Sequence, residues 1–401
     1  MIDKFKTFVD EYQKSPAYKT PLGFGIARVD VGPTSQKTLC ATYPTLNWAG
    51  ENLGSYAVFM NAISPQNQII SSENECVYGI DEDFVYKCLE LYTPFLMEAI
   101  QNKTHHKNIQ VVLELKKALD ENRLRDENGK SLFRFVVLYQ DAKCESVESA
   151  YLKLLALSLG KAKLRSLVLD GIFGLLENVA WSGNKPYELQ WLRDNEITLK
   201  MRGDYPRIDF VDKFPRYLMQ VIPQYDNIRI LDTAKTRFGA YLGTGGYTQM
   251  PGASYVNFNA GALGACMNEG RISSSVIIGE GTDIGGGASI LGVLSGGNAT
   301  PISIGKNCLL GVNSSTGISL GDGCIVDGGI AVLAGTIFEI SETEAKKLAE
   351  INADFSIQPN GLYKGKELSG KNGVHFRQDS KTGKMIAFRS AKKIELNDAL
   401  H

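Results

Sequence analysis

The sequence has no C-x-x-C pair, and its seven cysteines (Cys40, Cys76, Cys88, Cys144, Cys266, Cys308, Cys324) are odd in number and scattered. Such spacing argues against a disulfide framework and against a structural zinc site. Neither sign of charge is in excess, with 43 Lys and Arg against 44 Asp and Glu, so no net field draws the chain to nucleic acid or to an anionic membrane. No apolar run approaches the roughly 18 residues of a membrane span. The opening Met1-Ile2-Asp3-Lys4-Phe5-Lys6-Thr7-Phe8 carries charge where a secretory signal would be apolar, so a cytoplasmic protein is expected. Histidine is scarce: of His105, His106, His375 and His401, none falls between positions 230 and 340.

What remains is an ordinary globular composition, 43% hydrophobic and 22% charged, in 401 residues. That length allows two or three domains. Residues 1–225 mix helical and strand patterns and are expected to form an α+β domain. The run Phe133-Arg134-Phe135-Val136-Val137-Leu138-Tyr139 predicts a strand, and the apolar spacing from Ala150 predicts a helix continuing toward Leu176. Two prolines, Pro215 and Pro223, mark the end of that domain.

Beyond position 230 the period changes to six. Ile272, Ile278, Ile284 and Ile290 keep that spacing, and it returns as Ile304, Leu310 and Thr316, then as Leu320, Val326 and Val332. A helix, at about 3.6 residues per turn, cannot hold one residue in six on a single face. Short strands that turn a corner every six residues can, with glycine at corners whose torsions a Cβ would forbid. Residues 226–340 are therefore expected to form a hexapeptide-repeat β-helix, interrupted by loops at 292–301 and near Gly317-Ile318. Cys308 and Cys324 are expected inside the coil as small apolar residues. The stretch 341–401 is expected to cap it, beginning with a helix N-capped at Ser341.

Hexapeptide β-helices are usually trimers with sites between subunits, and many use a histidine as general base. With none in the repeats, a carboxylate has to do the acid or base work. Glu280, Asp283 and Asp322 are expected as solvated corner acids. Glu269 stands apart, in Ala265-Cys266-Met267-Asn268-Glu269-Gly270-Arg271-Ile272, among small or apolar neighbours and beside a glycine that permits close backbone approach. Arg271, two residues on, is expected on the same strand face, ready for a substrate carboxylate.

The runs Val256-Asn257-Phe258-Asn259-Ala260-Gly261, Glu269-Gly270-Arg271-Ile272-Ser273 and Asp283-Ile284-Gly285-Gly286-Gly287-Ala288-Ser289-Ile290 resemble the tetrahydrodipicolinate N-succinyltransferase family, in its longer-chain subgroup. So do Leu294-Ser295-Gly296-Gly297, Ile302-Ser303-Ile304-Gly305-Lys306 and Cys308-Leu309-Leu310-Gly311. The resemblance is close over about 237–336 and resumes at Lys364-Gly365-Lys366-Glu367-Leu368-Ser369-Gly370 and Phe376-Arg377. It implies a left-handed parallel β-helix in a cytoplasmic homotrimer. The implied activity transfers succinyl from succinyl-coenzyme A to tetrahydrodipicolinate in diaminopimelate and lysine synthesis, with no prosthetic group.

The resemblance also places the catalytic glutamate at Glu269, either as general base or as the carboxylate of an acyl-anhydride intermediate. It places coenzyme contacts at Arg271, Gly286, Ser289, Val312, Asp327, Gly328, Gly335, Lys364, Arg377, Gln378, Asp379 and Ser380. The segment 338–362 is longer than in compact members, and Val312 and Gln378 depart from residues seen elsewhere. Some members are proposed to hold magnesium through an acid just before the Val-Asn-Phe-Asn segment. Pro251-Gly252-Ala253-Ser254 offers none here, so no metal is expected.

Three other readings compete. An acetyl donor differs from a succinyl donor only by a carboxylate. A nucleotidyltransferase with a β-helix tail would need a nucleotide loop, for which Pro21-Leu22-Gly23-Phe24-Gly25-Ile26-Ala27-Arg28 is a weak match, better read as a turn before a strand. A non-catalytic trimeric scaffold would make Glu269 a structural acid.

Overall fold

The computed structural model describes residues 1–292 and 300–396. The Leu294-Ser295-Gly296-Gly297 run, and with it most of the loop expected over 292–301, lies outside the described residues. The chain forms two compact units, Met1–Ala156 with Leu167–Pro215, and Leu157–Ser166 with Arg216–His401.

The first unit is built on an antiparallel sheet in the order Thr38–Thr42, Gly23–Val31, Phe133–Leu138, Glu75–Gly79, Gln68–Ser71. Alternation along the strands sends Phe24, Ile26, Phe135 and Val137 into one core with Tyr56, Phe59, Phe84 and Val85 from the helices Leu53–Ala62 and Glu82–Tyr92. Pro21-Leu22 thus leads into a strand, as its sequence suggested. The helix expected toward Leu176 instead ends at Ser158, and Gly160 follows with a positive φ of 67°. The next helical turn is Ile172–Leu175.

The second unit is a coil of short parallel strands in three stacks. One stack holds Tyr247–Gln249, Cys266–Asn268, Thr282–Ile284, Leu309–Leu310 and Ile325–Val326. The second holds Tyr255–Val256, Arg271–Ile272, Ser289–Ile290, Ser315–Thr316 and Ala331–Val332. The third holds Gly261–Ala262, Ile277–Ile278 and Ser303–Ile304. Ile272, Ile278, Ile284, Ile290, Leu310, Thr316, Val326 and Val332 all point inward with no exposed surface. Each such aliphatic contributes about 1.5–3 kcal/mol by leaving water. Cys308 and Cys324 are buried in the same interior.

The break in period near Gly317-Ile318 is a shortened corner rather than a loop. The Gly317 amide still donates to the Val332 carbonyl, and Ile304 bridges directly to Leu320. The last turn of the first stack comes from far along the chain: Val374–Gln378 pairs in parallel with Ile325–Val326, then antiparallel with Met385–Arg389. Between Ile337–Glu339 and Leu362–Lys364 the chain makes the helix Glu342–Ile351, whose Glu344 amide donates to the Ser341 hydroxyl as expected of an N-cap.

Candidate active site

Glu269 sits at an unusually short corner. Asn268 stacks under Ile284 and Ile272 under Ile290, so four steps turn the lower corner where six turn the upper one. The cause is Asn268, a fully buried polar residue among aliphatics. Its Nδ2 donates to the Tyr247 hydroxyl at 3.1 Å, and its Oδ1 accepts from the Gly270 amide at 3.0 Å, pulling the chain round immediately. A Cβ on Gly270 would lie 2.4 Å from the Ala288 carbonyl oxygen, so only glycine fits there.

The short corner leaves Glu269 half-buried beneath the longer Gly285-Gly286-Gly287-Ala288 corner. Its Oε2 lies 3.3 Å from the position a Cβ of Gly286 would take. Directly above, the same corner repeats coil by coil through backbone bonds from Gly287 to Glu269, Asn313 to Gly286, and Gly329 to Val312, at 3.1, 2.9 and 2.8 Å. Four of the expected site positions, Glu269, Gly286, Val312 and Gly328, thus share one edge of the coil. Val312 is 60% exposed on it.

Arg271 is not on the strand face of Glu269. Gly270 turns the corner between them, and Arg271 opens the next strand, exposed, in register with Ser289 and then Ser315. Asp283 also departs from expectation. It lies inside the strand Thr282–Ile284, half-buried, and burial followed by the nearby Glu269 charge raises its pKa. Glu280 and Asp322 are exposed corner acids, as anticipated.

Asp327 ends the strand Ile325–Val326. Its Oδ2 accepts from Arg377 Nε at 2.5 Å and its Oδ1 meets His375 Nε2 at 2.7 Å. Burial pushes the Asp327 pKa up, but the hydrogen bonds and charges of Arg377 and His375 outweigh it and leave the carboxyl below its usual value. The repeats themselves contain no histidine, yet the late strand Val374–Gln378 adds His375 to their stack. Sequence order concealed this, since 48 residues separate the pair. Only the alternation of His375 with Arg377 hinted at a shared face.

The remaining expected residues lie apart from Glu269. Lys364 is exposed opposite Ile337 in an antiparallel pair, with exposed Gly335 just before that strand. Gln378, Asp379 and Ser380 lead into the turn before Met385–Arg389. There Asp379 accepts from the Thr382 and Lys381 amides at 2.8 Å each, contacts that lower its pKa. Before the Val-Asn-Phe-Asn segment, Ser254 directs its hydroxyl to the Met250 carbonyl and no carboxylate is present, so these residues do not fit a magnesium ion.

Short parallel strands in a six-residue beat, glycine corners and one half-buried acid on the outer edge define a hexapeptide-repeat transferase. Residues 3–174 match the family described as tetrahydrodipicolinate N-succinyltransferase N-terminal, and 176–216 match its middle region. Residues 301–334 match the hexapeptide repeat of succinyl-transferase. A 2,3,4,5-tetrahydropyridine-2,6-dicarboxylate N-succinyltransferase of Helicobacter pylori is 72% identical over 401 residues, all of both chains. Its Nitratiruptor counterpart is 54% identical over 400 residues, 100% of this chain and 99% of the other. A crystal structure from Campylobacter jejuni, described as a 2,3,4,5-tetrahydropyridine-2-carboxylate N-succinyltransferase, superposes with a TM-score of 0.88 at 47% identity. It covers 98% of this chain and 99% of that one. The chain belongs to the tetrahydrodipicolinate N-succinyltransferase family.

Proposed function

We propose that this chain transfers the succinyl group of succinyl-coenzyme A to tetrahydrodipicolinate, giving N-succinyl-2-amino-6-oxopimelate and free coenzyme A, a step toward diaminopimelate and lysine. Full-length likeness to enzymes of that name supports it. The observation that carries the chemistry is Glu269, a half-buried carboxylate whose Oε2 lies 3.3 Å from where a Cβ on Gly286 would stand.

Addition of water opens the cyclic imine to a primary amine and a ketone. The amine nitrogen then attacks the thioester carbonyl. A C–N bond forms and the C–S bond breaks, Glu269 accepts the nitrogen's proton, and the sulfur leaves as the coenzyme A thiol once protonated. Arg271 pairs with the succinyl carboxylate, as a guanidinium fork suits. The pantetheine arm lies along the Gly286, Val312 and Gly328 edge beside Ser289, where missing or small side chains allow close approach. Asp327, Gly335, Lys364, Arg377, Gln378, Asp379 and Ser380 complete the coenzyme site, with Lys364 and Arg377 nearest the phosphates.

The coil is left-handed in this proposal, and three copies place each site between neighbours. Exposed Leu263, Leu333 and Val312 on the coil are consistent with a second chain covering them. Residues 1–225 form the N-terminal domain, 226–340 the catalytic coil, and 341–401 the part that reaches the coenzyme. The place of action is the cytoplasm, where succinyl-coenzyme A is available.

A thiol-trapping assay tests the proposal. Thiol release must require both succinyl-coenzyme A and the cyclic dicarboxylate, and the product mass must equal acceptor plus water with succinyl in place of one hydrogen. Release at the same rate without the dicarboxylate would overturn it.

A further inference from the structure

Asp327, His375, Arg377 and Phe388 form a clamp that the coenzyme contacts alone do not explain. Asp327 stands at the end of a coil strand, and its two oxygens are held separately, Oδ1 by His375 and Oδ2 by Arg377, at 2.7 and 2.5 Å. His375 and Arg377 are two apart on the strand Val374–Gln378, so both face outward from it. Phe388, opposite His375 on the neighbouring strand, braces both: its ring centre is 4.6 Å from the imidazole and 5.4 Å from the guanidinium carbon. Cation and ring at that separation attract. Of the two bases, His375 is the covered one, with 12% of its side chain exposed against 47% for Arg377.

The consequence is directional. Arg377 gives Asp327 its Nε, and among the described residues none takes a hydrogen bond from its terminal nitrogens, which leaves them for an anion. Where that fork points depends on where the Asp327 carboxylate points. Asp327 would swing on one remaining bond if His375 released Oδ1. The lowered pKa of Asp327 agrees with a carboxylate kept ionised by two partners.

We infer that His375 is a positioning residue for the coenzyme: it fixes the Asp327 carboxylate and, through it, aims the Arg377 guanidinium at the nucleotide part of the acyl donor. The inference rests on the coenzyme site proposed above. It concerns binding of the nucleotide end and leaves the acyl-transfer chemistry at Glu269 untouched.

The test uses His375→Phe, which keeps a ring against Phe388 and removes only the bond to Oδ1, and His375→Gln, which restores an amide donor. Both are compared in the full chain with succinyl-coenzyme A and with S-succinyl-N-acetylcysteamine, a donor lacking the nucleotide. His375→Phe should raise the KM for succinyl-coenzyme A about 10-fold, the scale of one lost charge-assisted hydrogen bond. Its kcat and its kcat/KM for the truncated donor should stay within about twofold, since the catalytic edge is unaltered. His375→Gln should recover most of the loss.

An unchanged KM for succinyl-coenzyme A in His375→Phe would overturn the inference, as would an equal loss with both donors. Should the Phe variant fail to fold, His375→Leu takes its place and is read the same way: a KM for succinyl-coenzyme A raised about 10-fold, with the truncated donor unaffected, supports the role, and an unchanged KM contradicts it. Arg377→Ala separates the two levels. If it leaves coenzyme A affinity unchanged, the proposed coenzyme site itself is wrong; if it weakens affinity and His375→Phe does not, only the positioning role fails.

Discussion

Glu269 places one carboxylate oxygen 3.3 Å from the point where a side-chain carbon on Gly286 would begin. That spacing is tighter than ordinary van der Waals contact, so a methyl group at 286 has to push the acid aside. Gly286 is not among the glycines with positive φ, so alanine strains no torsion there. Gly286→Ala should fold normally, with its thermal midpoint within about 3 °C of the parent. Its kcat/KM should fall about 10- to 100-fold from displacement of the carboxylate. Steady-state thiol release alongside thermal unfolding reads both.

Arg271 is exposed and stacked beneath Ser289, where a guanidinium is free to swing toward a ligand. Arg271→Ala should weaken succinyl-coenzyme A about 10-fold or more through loss of a bidentate carboxylate pair. Acetyl-coenzyme A, which has no second carboxylate, should change by less than about threefold. Equal losses for the two donors, measured by isothermal titration, would remove the carboxylate-reading role.

Asn268 tests the origin of the short corner. Asn268→Leu keeps the branched shape in a somewhat bulkier side chain but strands the Tyr247 hydroxyl and the Gly270 amide without their partner. Chemical denaturation should show a loss of about 1–3 kcal/mol. Activity should fall further than stability accounts for, because Glu269 follows directly. A variant as active and as stable as the parent would contradict this origin of the corner.

Two aspartates should respond to pH with opposite signs. The Asp327 pKa is lowered in the folded state, so its contribution to stability is present above the unfolded value of about 3.9 and is lost as pH falls through the folded one. Asp327→Asn should therefore destabilise at pH 7, with the difference shrinking below about pH 4. The Asp283 pKa is raised by burial and by Glu269, so its favourable contribution exists below about 3.9 and disappears as pH rises through the folded value. Asp283→Asn should stabilise at pH 7 and lose that advantage in acid. Urea midpoints of both variants across this range check the signs.

Much of this architecture was legible in the sequence. The six-residue beat of Ile272, Ile278, Ile284 and Ile290 reports directly on stacking, because inward residues in such a coil have only one another to pack against. The cap at Ser341 was equally local. The features that sequence reading missed depend on distant partners. The helix after Ala150 stops where Gly160 turns left-handed, although its apolar spacing runs on. The corner at Glu269 is short because Asn268 finds Tyr247 in the coil before it, so Arg271 moves to the next face. Asp283 looked like a solvated corner acid because it follows glycine-rich sequence, yet it directly precedes the inward Ile284 and lies within that residue's strand. His375 joins the repeats only because the chain returns after the helix Glu342–Ile351 to add one more parallel strand.

The most direct measurement is single-turnover thiol release by Glu269→Gln, which keeps the shape of the side chain and removes its ability to accept a proton. With succinyl-coenzyme A and tetrahydrodipicolinate both saturating, the rate should fall by about 10²- to 10⁴-fold while coenzyme A affinity and assembly size stay those of the parent. A rate within about twofold of the parent would place the proton acceptor elsewhere and contradict the role assigned to Glu269.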